Sequence, residues 1–303
     1  MKNEQKIVYG GIDAGGTSFK CVVADEARTI KVEKTIPTTS PKETLGHCLE
    51  FFKTVIGSEH DLKALGIASF GPLDIDTKSA AYGTYLPGPK ADWAGVDLFA
   101  AFKNVLGVPV IIDTDVNGAL LAEMAWGNAK GCQSAAYITV GTGVGAGIMC
   151  AGQLMGKPSH PEFGHVRVQR HPADQGFQGV CTVHGDCLEG LACGPSLHAR
   201  FGDPEKLPRT HEAWDINAFY LAQACVTLAL SFRPQAIILG GGVMQSSHLF
   251  PKIRQHYSDF MNNYLGQDRA DIDKLILPPG LANKAGLWGG IYLAQTLTDL
   301  SCK

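Results

Sequence analysis

Charge of a single sign is what this sequence lacks first: 26 Lys and Arg face 29 Asp and Glu, for a net charge of −3. Without a basic excess there is no electrostatic footprint for nucleic acid or for an anionic membrane surface. No apolar run reaches the ~18 residues of a membrane span, so no membrane partner is expected. The opening MKNEQKIVYGG has two lysines and no apolar block ahead of the strand-like KIVYGGID, which argues against a secretory signal. Low-complexity tracts, long linkers and charge blocks are missing as well. Nine cysteines, an odd number and mostly scattered, speak against a disulfide framework and for reduced thiols with room for one metal site. These absences describe a compact cytoplasmic protein.

What is present is α/β alternation over 303 residues, enough chain for about two domains. Strand-like runs KIVYGGID, FKCVVAD, TIKVEKTI, LKALGIAS and VPVIID are interleaved with helical patterns at KETLGHCLEFFKTVIG and VDLFAAFKNVLG. The second half opens with a helix, NGALLAEMAWG, and then repeats the opening grammar: strand SAAYITVG, turn TGVGAG, strand IMCAGQLM. A helix at DINAFYLAQACVTLALSF, a strand QAIILGGG, a late strand DKLILPPG and a C-terminal helix AGLWGGIYLAQTL follow. The two strand–turn–strand units, Lys6 to Asp25 and Ala135 to Met155, read as an approximate internal duplication.

Glycine lets backbone N–H groups approach an anion without a Cβ in the way, and threonine adds a hydroxyl donor. DAGGTS and GTGVGAG can therefore grip a polyphosphate, with Asp13 placed to hold Mg²⁺ through water. Two hairpin turns that need glycine for shape alone are the alternative, and neither stretch fits a P-loop or a dinucleotide fingerprint. ILGGGV is a third glycine turn at a strand end. VPVIIDTDVNGALLAE sets Asp113, Asp115 and Asn117 between a strand and a helix, where such residues ordinarily cap. Carboxylates at a strand end also suit activation of a hydroxyl nucleophile. Cys181-x-x-His184-x-x-Cys187 gathers three zinc-type ligands on a glycine-bearing loop. His160, His165 and His171 are the candidates for a fourth ligand. Glu162 and Glu189 flank this loop, and taken singly each reads as a surface glutamate.

In their order, GIDAGGTSFK, DTDVNGALLAE, TVGTGVGAGI, EFGH, CLEG and ILGGGV resemble the ROK sugar kinases over nearly the whole chain. The resemblance implies a two-domain actin-like ATPase fold of the sugar kinase/ribonuclease H-like type, with an interdomain cleft. Residues 1–118 plus 282–303 would form one domain and 119–281 the other, which carries the zinc loop. ATP phosphates would meet Asp13, Gly15, Gly16, Thr17, Lys20, Thr142, Gly143, Gly240, Gly241 and Gly242. The family's N-D-x-N matches Asp115 as catalytic base and Asn117 as a partner of a sugar hydroxyl. Thr114 replaces the first asparagine, and Asp113 reads as structural. Glu162, His165 and Glu189 match sugar-binding positions. By the same match His165 joins Cys181, His184 and Cys187 around a structural Zn²⁺. The His184 departure from three cysteines, with HGDCLEGLA, resembles the bacterial fructokinase branch. YLPGPKADW resembles a sugar-side loop, with a packed Trp93 as its alternative.

The expectation is an ATP- and Mg²⁺-dependent hexose kinase making fructose 6-phosphate, as a homodimer. Mannose, glucose or an N-acetylated hexose are alternative substrates. A sugar-responsive regulator would place a helix-turn-helix ahead of the D-x-G-G-T motif, where only twelve residues precede Asp13.

Overall fold

The computed structural model describes residues 6–57 and 60–300. It divides into two compact units: residues 1–122, 156–160 and 284–303, and residues 123–155 and 161–283. The first chain crossing falls inside a helix.

The first unit is built on strands β1 (Lys6–Ala14), β2 (Ser18–Ala24), β3 (Ile30–Pro37), β4 (His60–Ser69) and β5 (Val110–Thr114) in the order β3-β2-β1-β4-β5. β1 pairs antiparallel with β2 and parallel with β4, and β5 continues the parallel edge. Helix α1 (Pro41–Ile56) starts where Ser40 caps the Glu43 N–H and Pro41 presets the first turn. Its Leu45, Cys48, Phe52 and Val55 recur at helical spacing and pack with Ile12, Phe19, Leu65 and Phe102 in one core. Helix α2 (Leu98–Leu106) is capped by Asp97 and ends at Gly107 in the left-handed region. Helix α3 (Asp115–Trp126) follows β5 directly.

Against this sheet lies the C-terminal helix Ala285–Leu300, pressed so close that side chains are excluded. A Cβ on Gly66 would sit 2.1 Å from the Gly290 carbonyl oxygen, and one on Gly11 would sit 2.8 Å from the Ile291 nitrogen. Two of the glycines in the opening motif, Gly10 and Gly11, are therefore demanded by packing. Gly10 faces Phe52 and Leu65, and neither residue belongs to the turn itself.

The second unit repeats the topology. Strands β6 (Ala135–Val140), β7 (Val144–Cys150), β8 (Gln153–Leu154), β9 (Ala236–Gly240) and β10 (Ile276–Leu277) run in the order β10-β9-β6-β7-β8. β6 pairs antiparallel with β7 and parallel with β9, as β1 does with β2 and β4. The helices are α4 (Leu188–Ala192), α5 (Gly194–Phe201), α6 (Glu212–Phe232), α7 (Leu249–Met261) and α8 (Arg269–Leu275). The Glu123 carboxylate is fully buried and accepts from the N–H groups of Asn128, Gly280 and Leu281 at 2.8–3.0 Å, pinning the returning chain.

Three local expectations are corrected. The turn TGVGAG is shorter than expected: β7 begins at Val144, so Gly145 and Gly147 lie inside a strand paired with β6. IMCAGQLM is not one strand, because the chain reverses at Ala151 and Gly152, both with positive φ, as a two-residue hairpin requires. DKLILPPG opens with the last three residues of α8, a helix started by a reciprocal Asp268/Asp271 capping box, and only Ile276 and Leu277 join the sheet before two prolines end the ladder. Helix α6 is long and apolar enough to cross a membrane, which the sequence was not expected to contain. Its Trp214, Tyr220, Leu221, Cys225 and Leu228 form the core of the second unit, which accounts for the composition.

Candidate active site

In the first unit the turn after β1 is short and laced. The Gly15 N–H donates to the Ser18 carbonyl at 3.0 Å, and the Thr38 hydroxyl donates to the Gly15 carbonyl at 2.8 Å. The Thr38 N–H reaches the Thr17 carbonyl at 2.9 Å. Asp13 is the next-to-last residue of β1, beside this turn. Burial raises its carboxyl above the ordinary range, and the Lys20 ammonium 3.7 Å away pulls against that. Lys20 is thus brought to Asp13 by the β1–β2 register, in which the two residues face each other.

The acidic turn lies at the end of β5. Asp113 is buried and accepts from the Thr114 N–H at 2.8 Å, from Asn117 Nδ2 at 2.7 Å and from Lys157 Nζ at 2.8 Å. Asn117 is 1 % exposed, and its Nδ2 is taken by Asp113 while Oδ1 has no hydrogen-bond partner. The structure therefore brings Asn117 to Asp113, where it braces the turn, and presents little of it to a ligand. Asp115 is half-buried as the first residue of α3, where its Oδ1 accepts from the Val116 N–H at 2.9 Å.

In the second unit the corresponding turn is closed by a bond from the Gly141 N–H to the Gly143 carbonyl, 2.9 Å. A pocket of about 520 Å³ opens beside it, lined among others by Thr142, Gly194, Pro195, Trp214 and Gly242. Of the three glycines in ILGGGV only Gly242 reaches this pocket. Gly240 and Gly241 are packed against β6: a Cβ on Gly240 would meet the Tyr137 hydroxyl at 2.1 Å, and one on Gly241 the Val140 oxygen at 2.5 Å. Gly143 instead faces Glu189, whose carboxylate accepts from the Val144 N–H at 3.0 Å.

His165, Cys181, His184 and Cys187 come together with their donor atoms all within 4.8 Å of one another. The knuckle is a tight hairpin in which Cys181 and Gly185 exchange backbone bonds, and Gly185 has a positive φ of 65°. Arg167 bonds Asp186 across its base. His165 Nδ1 lies 3.7 Å from Cys181 Sγ and 3.5 Å from Cys187 Sγ, and His184 Nδ1 lies 3.7 Å from Cys181 Sγ. Tetrahedral zinc, with bonds of about 2.3 Å to sulfur and about 2.0 Å to nitrogen, would separate such donors by about 3.5 Å. The donor set fits. Burial, with the Cys181 thiol adding to it, pushes the Cys187 thiol to about 11, so a bound metal would have to displace its proton. The other ring nitrogen of His165 points to Glu162, Nε2 to Oε2 at 4.0 Å. Of the other histidines considered, His160 lies at Leu73 and His171 faces Asp215.

Sequence reasoning missed Lys157 and the Gly194–Pro195 wall of the pocket. A lysine in a Gly/Pro-rich connection carries no local signal. It also left the YLPGPKADW loop open, and here Trp93 is buried against Phe19, Phe70 and Tyr85. The Tyr85 hydroxyl is 2.6 Å from that of Ser69, and burial raises its pKa.

Two sheets of one topology, each with a glycine turn between its first two strands, define an actin-like α/β phosphotransferase fold. The family model for the ROK family matches residues 9–297, and the chain belongs to that family. It is 43 % identical over 298 residues to a fructokinase of Zymomonas mobilis, covering 97 % of this chain and 98 % of the relative. It is 44 % identical over 291 residues to a putative fructokinase of Bacillus subtilis, covering 95 % of each. A ROK family glucokinase of Streptomyces griseus, solved in complex with glucose and AMPPNP, superposes with a TM-score of 0.73 at 25 % identity, covering 95 % of this chain and 99 % of that one. The chain is accordingly a sugar kinase by family.

Proposed function

We propose that this protein is an ATP-dependent fructokinase that transfers the γ-phosphoryl group of ATP to fructose, giving fructose 6-phosphate and ADP. The observation that carries the choice of sugar is the end-to-end likeness, above 40 % identity, to relatives named as fructokinases. Asp115 is assigned as the general base that takes the hydroxyl proton. It sits at the end of a strand on a turn whose neighbours are already hydrogen-bonded, so its carboxylate is held in place before substrate arrives. The nucleotide is assigned to the pocket at Thr142 and Gly242. Asp13, a desolvated carboxylate, suits Mg²⁺, which would neutralise charge on the phosphates.

Glu162, His165 and Glu189 are assigned to the sugar hydroxyls. A Zn²⁺ held by His165, Cys181, His184 and Cys187 would occupy a closed four-ligand site, so its service is to brace the loop rather than to activate water. Exclusion of water matters to any such kinase, because water is a smaller acceptor than the sugar.

The test is ADP release by zinc-replete protein with MgATP and, separately, fructose, mannose, glucose and N-acetylglucosamine. Turnover on fructose above the other three is expected. Preference for another hexose keeps the kinase and changes the sugar, and no turnover on any of them removes the enzyme reading.

A further inference from the structure

The first glycine turn has a cation above it that neither motif nor register announces. Lys90 lies in the loop between β4 and α2, and its Cε comes within 3.3 Å of the point a Cβ on Gly16 would occupy. Its position is fixed rather than incidental. The Lys90 carbonyl accepts from the Trp93 N–H at 3.0 Å, starting a single 3₁₀ turn, and Trp93 is 3 % exposed. Trp93 Nε1 also donates to the Thr39 carbonyl at 3.3 Å, next to the Thr38 that laces the glycine turn. The Lys90 ammonium is 6.0 Å from the centre of the Phe70 ring, and among the described residues it has no carboxylate partner. Lys20, the lysine inside the motif, is already paired with Asp13. An ammonium without a carboxylate partner, carried beside Gly16 of a glycine turn, is an arrangement for an anion.

We infer that Lys90 contacts the phosphoryl group during transfer, stabilising the charge on its non-bridging oxygens. The inference rests on the kinase reading above. In the step, the bond from the γ-phosphorus to the ADP oxygen breaks as the bond to the sugar oxygen forms, and the sugar's proton passes to Asp115. Lys90 stays protonated throughout and serves by charge. Phosphoryl transfer asks the protein for positioning and charge neutralisation, and a cation aimed at the equatorial oxygens supplies the second.

Lys90→Met keeps the apolar stem over Phe70 and removes the charge. It should lower kcat by about 10²-fold with KM for fructose and the thermal midpoint unchanged, and Lys90→Arg should recover much of the loss. The complex with MgADP, fructose and aluminium fluoride, which imitates the group in flight, should weaken in K90M while MgADP alone binds as before. Lys90→Gln serves if the methionine variant folds poorly. If wild type turns over fructose and both uncharged variants match it in kcat, Lys90 has no part in the transfer. A loss confined to KM for fructose would make it a sugar contact and overturn the assignment as well. Wild type inactive on every hexose removes the kinase reading, and this assignment with it.

Discussion

In the first unit β2 is paired along its length by β3, and Thr38, just past the end of β3, reaches back to hold Gly15. In the second unit the equivalent strand β8 is two residues long and supplies no such reach, and the turn is held instead by Glu189 from α4. One scaffold thus carries two turns braced by opposite means, a hydroxyl donor in one and a carboxylate acceptor in the other. The surroundings diverge in the same sense. The first turn has Asp13, Lys20 and Lys90 around it, all titratable and set for charge. The second has a pocket and a His/Cys knuckle. Strand order is common to both sheets, so the differences arise in the connections: residues 70–97 in the first unit and 161–193 in the second. A duplicated fold supplies placement, and the inserted loops supply chemistry.

The largest test of that division is Asp115→Asn. It preserves shape and hydrogen bonding at the head of α3 but cannot take a proton. Turnover on fructose should fall by about 10²–10⁴-fold with the thermal midpoint and nucleotide binding little changed. Turnover within about threefold of wild type would move the base elsewhere.

Cys187→Ser probes the other unit. Cys187 is fully buried at the knuckle, and loss of a structural metal is among the few single changes that cost more than about 4 kcal/mol. Metal analysis should fall from about one zinc per chain. The thermal midpoint should drop, and KM for fructose should rise more than kcat falls, because the knuckle is tied to Glu162 and Glu189 rather than to Asp115. A variant that keeps its zinc and its KM would show that the knuckle does not brace the sugar side.

Gly66→Ala asks what the glycines outside the turns are for. The added methyl meets the Gly290 carbonyl at 2.1 Å, so the C-terminal helix must move off β4, at a cost of about 1–3 kcal/mol and more if the helix cannot shift. Residual activity per folded molecule should be near wild type. A thermal melt unchanged by the substitution would mean that the helix slides freely over the sheet.

How much of this was legible beforehand depended on the range of the interactions. Strands β1 to β6 and helices α1 to α3 announce themselves because apolar periodicity, Ser40, Asp97 and Gly107 are local signals. The Cys181–Cys187 knuckle was legible because its ligands lie within seven residues. The burial of Asn117 was not, since it depends on Lys157, forty residues further on, sharing Asp113. Gly11 reads as part of a phosphate turn because nothing local says that a helix 280 residues away leans on it, and Gly10 because nothing local places Phe52 and Leu65 against it. Lys90 was illegible for the same reason, its meaning lying in a turn more than seventy residues earlier. The α8 capping box was local and legible in principle, but the apolar run LIL outweighed it.

The finest contrast is between the two braces. Thr38→Val removes one hydroxyl donor from the Gly15 carbonyl and leaves the backbone bond to Thr17 in place, so a loss of about 1 kcal/mol is expected. Glu189→Gln keeps an oxygen for the Val144 N–H and removes only the charge from a bond that is stronger for being ionic, so its stability cost should be no larger. The two substitutions should nevertheless part in catalysis. Thr38 touches only the turn, so its loss should appear as a modest rise in KM for ATP with fructose unaffected. Glu189 joins the turn to α4, two residues from the buried Cys187 of the knuckle, so its change should raise KM for fructose and for ATP together. Measuring both constants in both variants separates the cases: if Glu189→Gln changes KM for ATP alone, the carboxylate is only a turn brace, like its hydroxyl counterpart, and the sugar is held elsewhere.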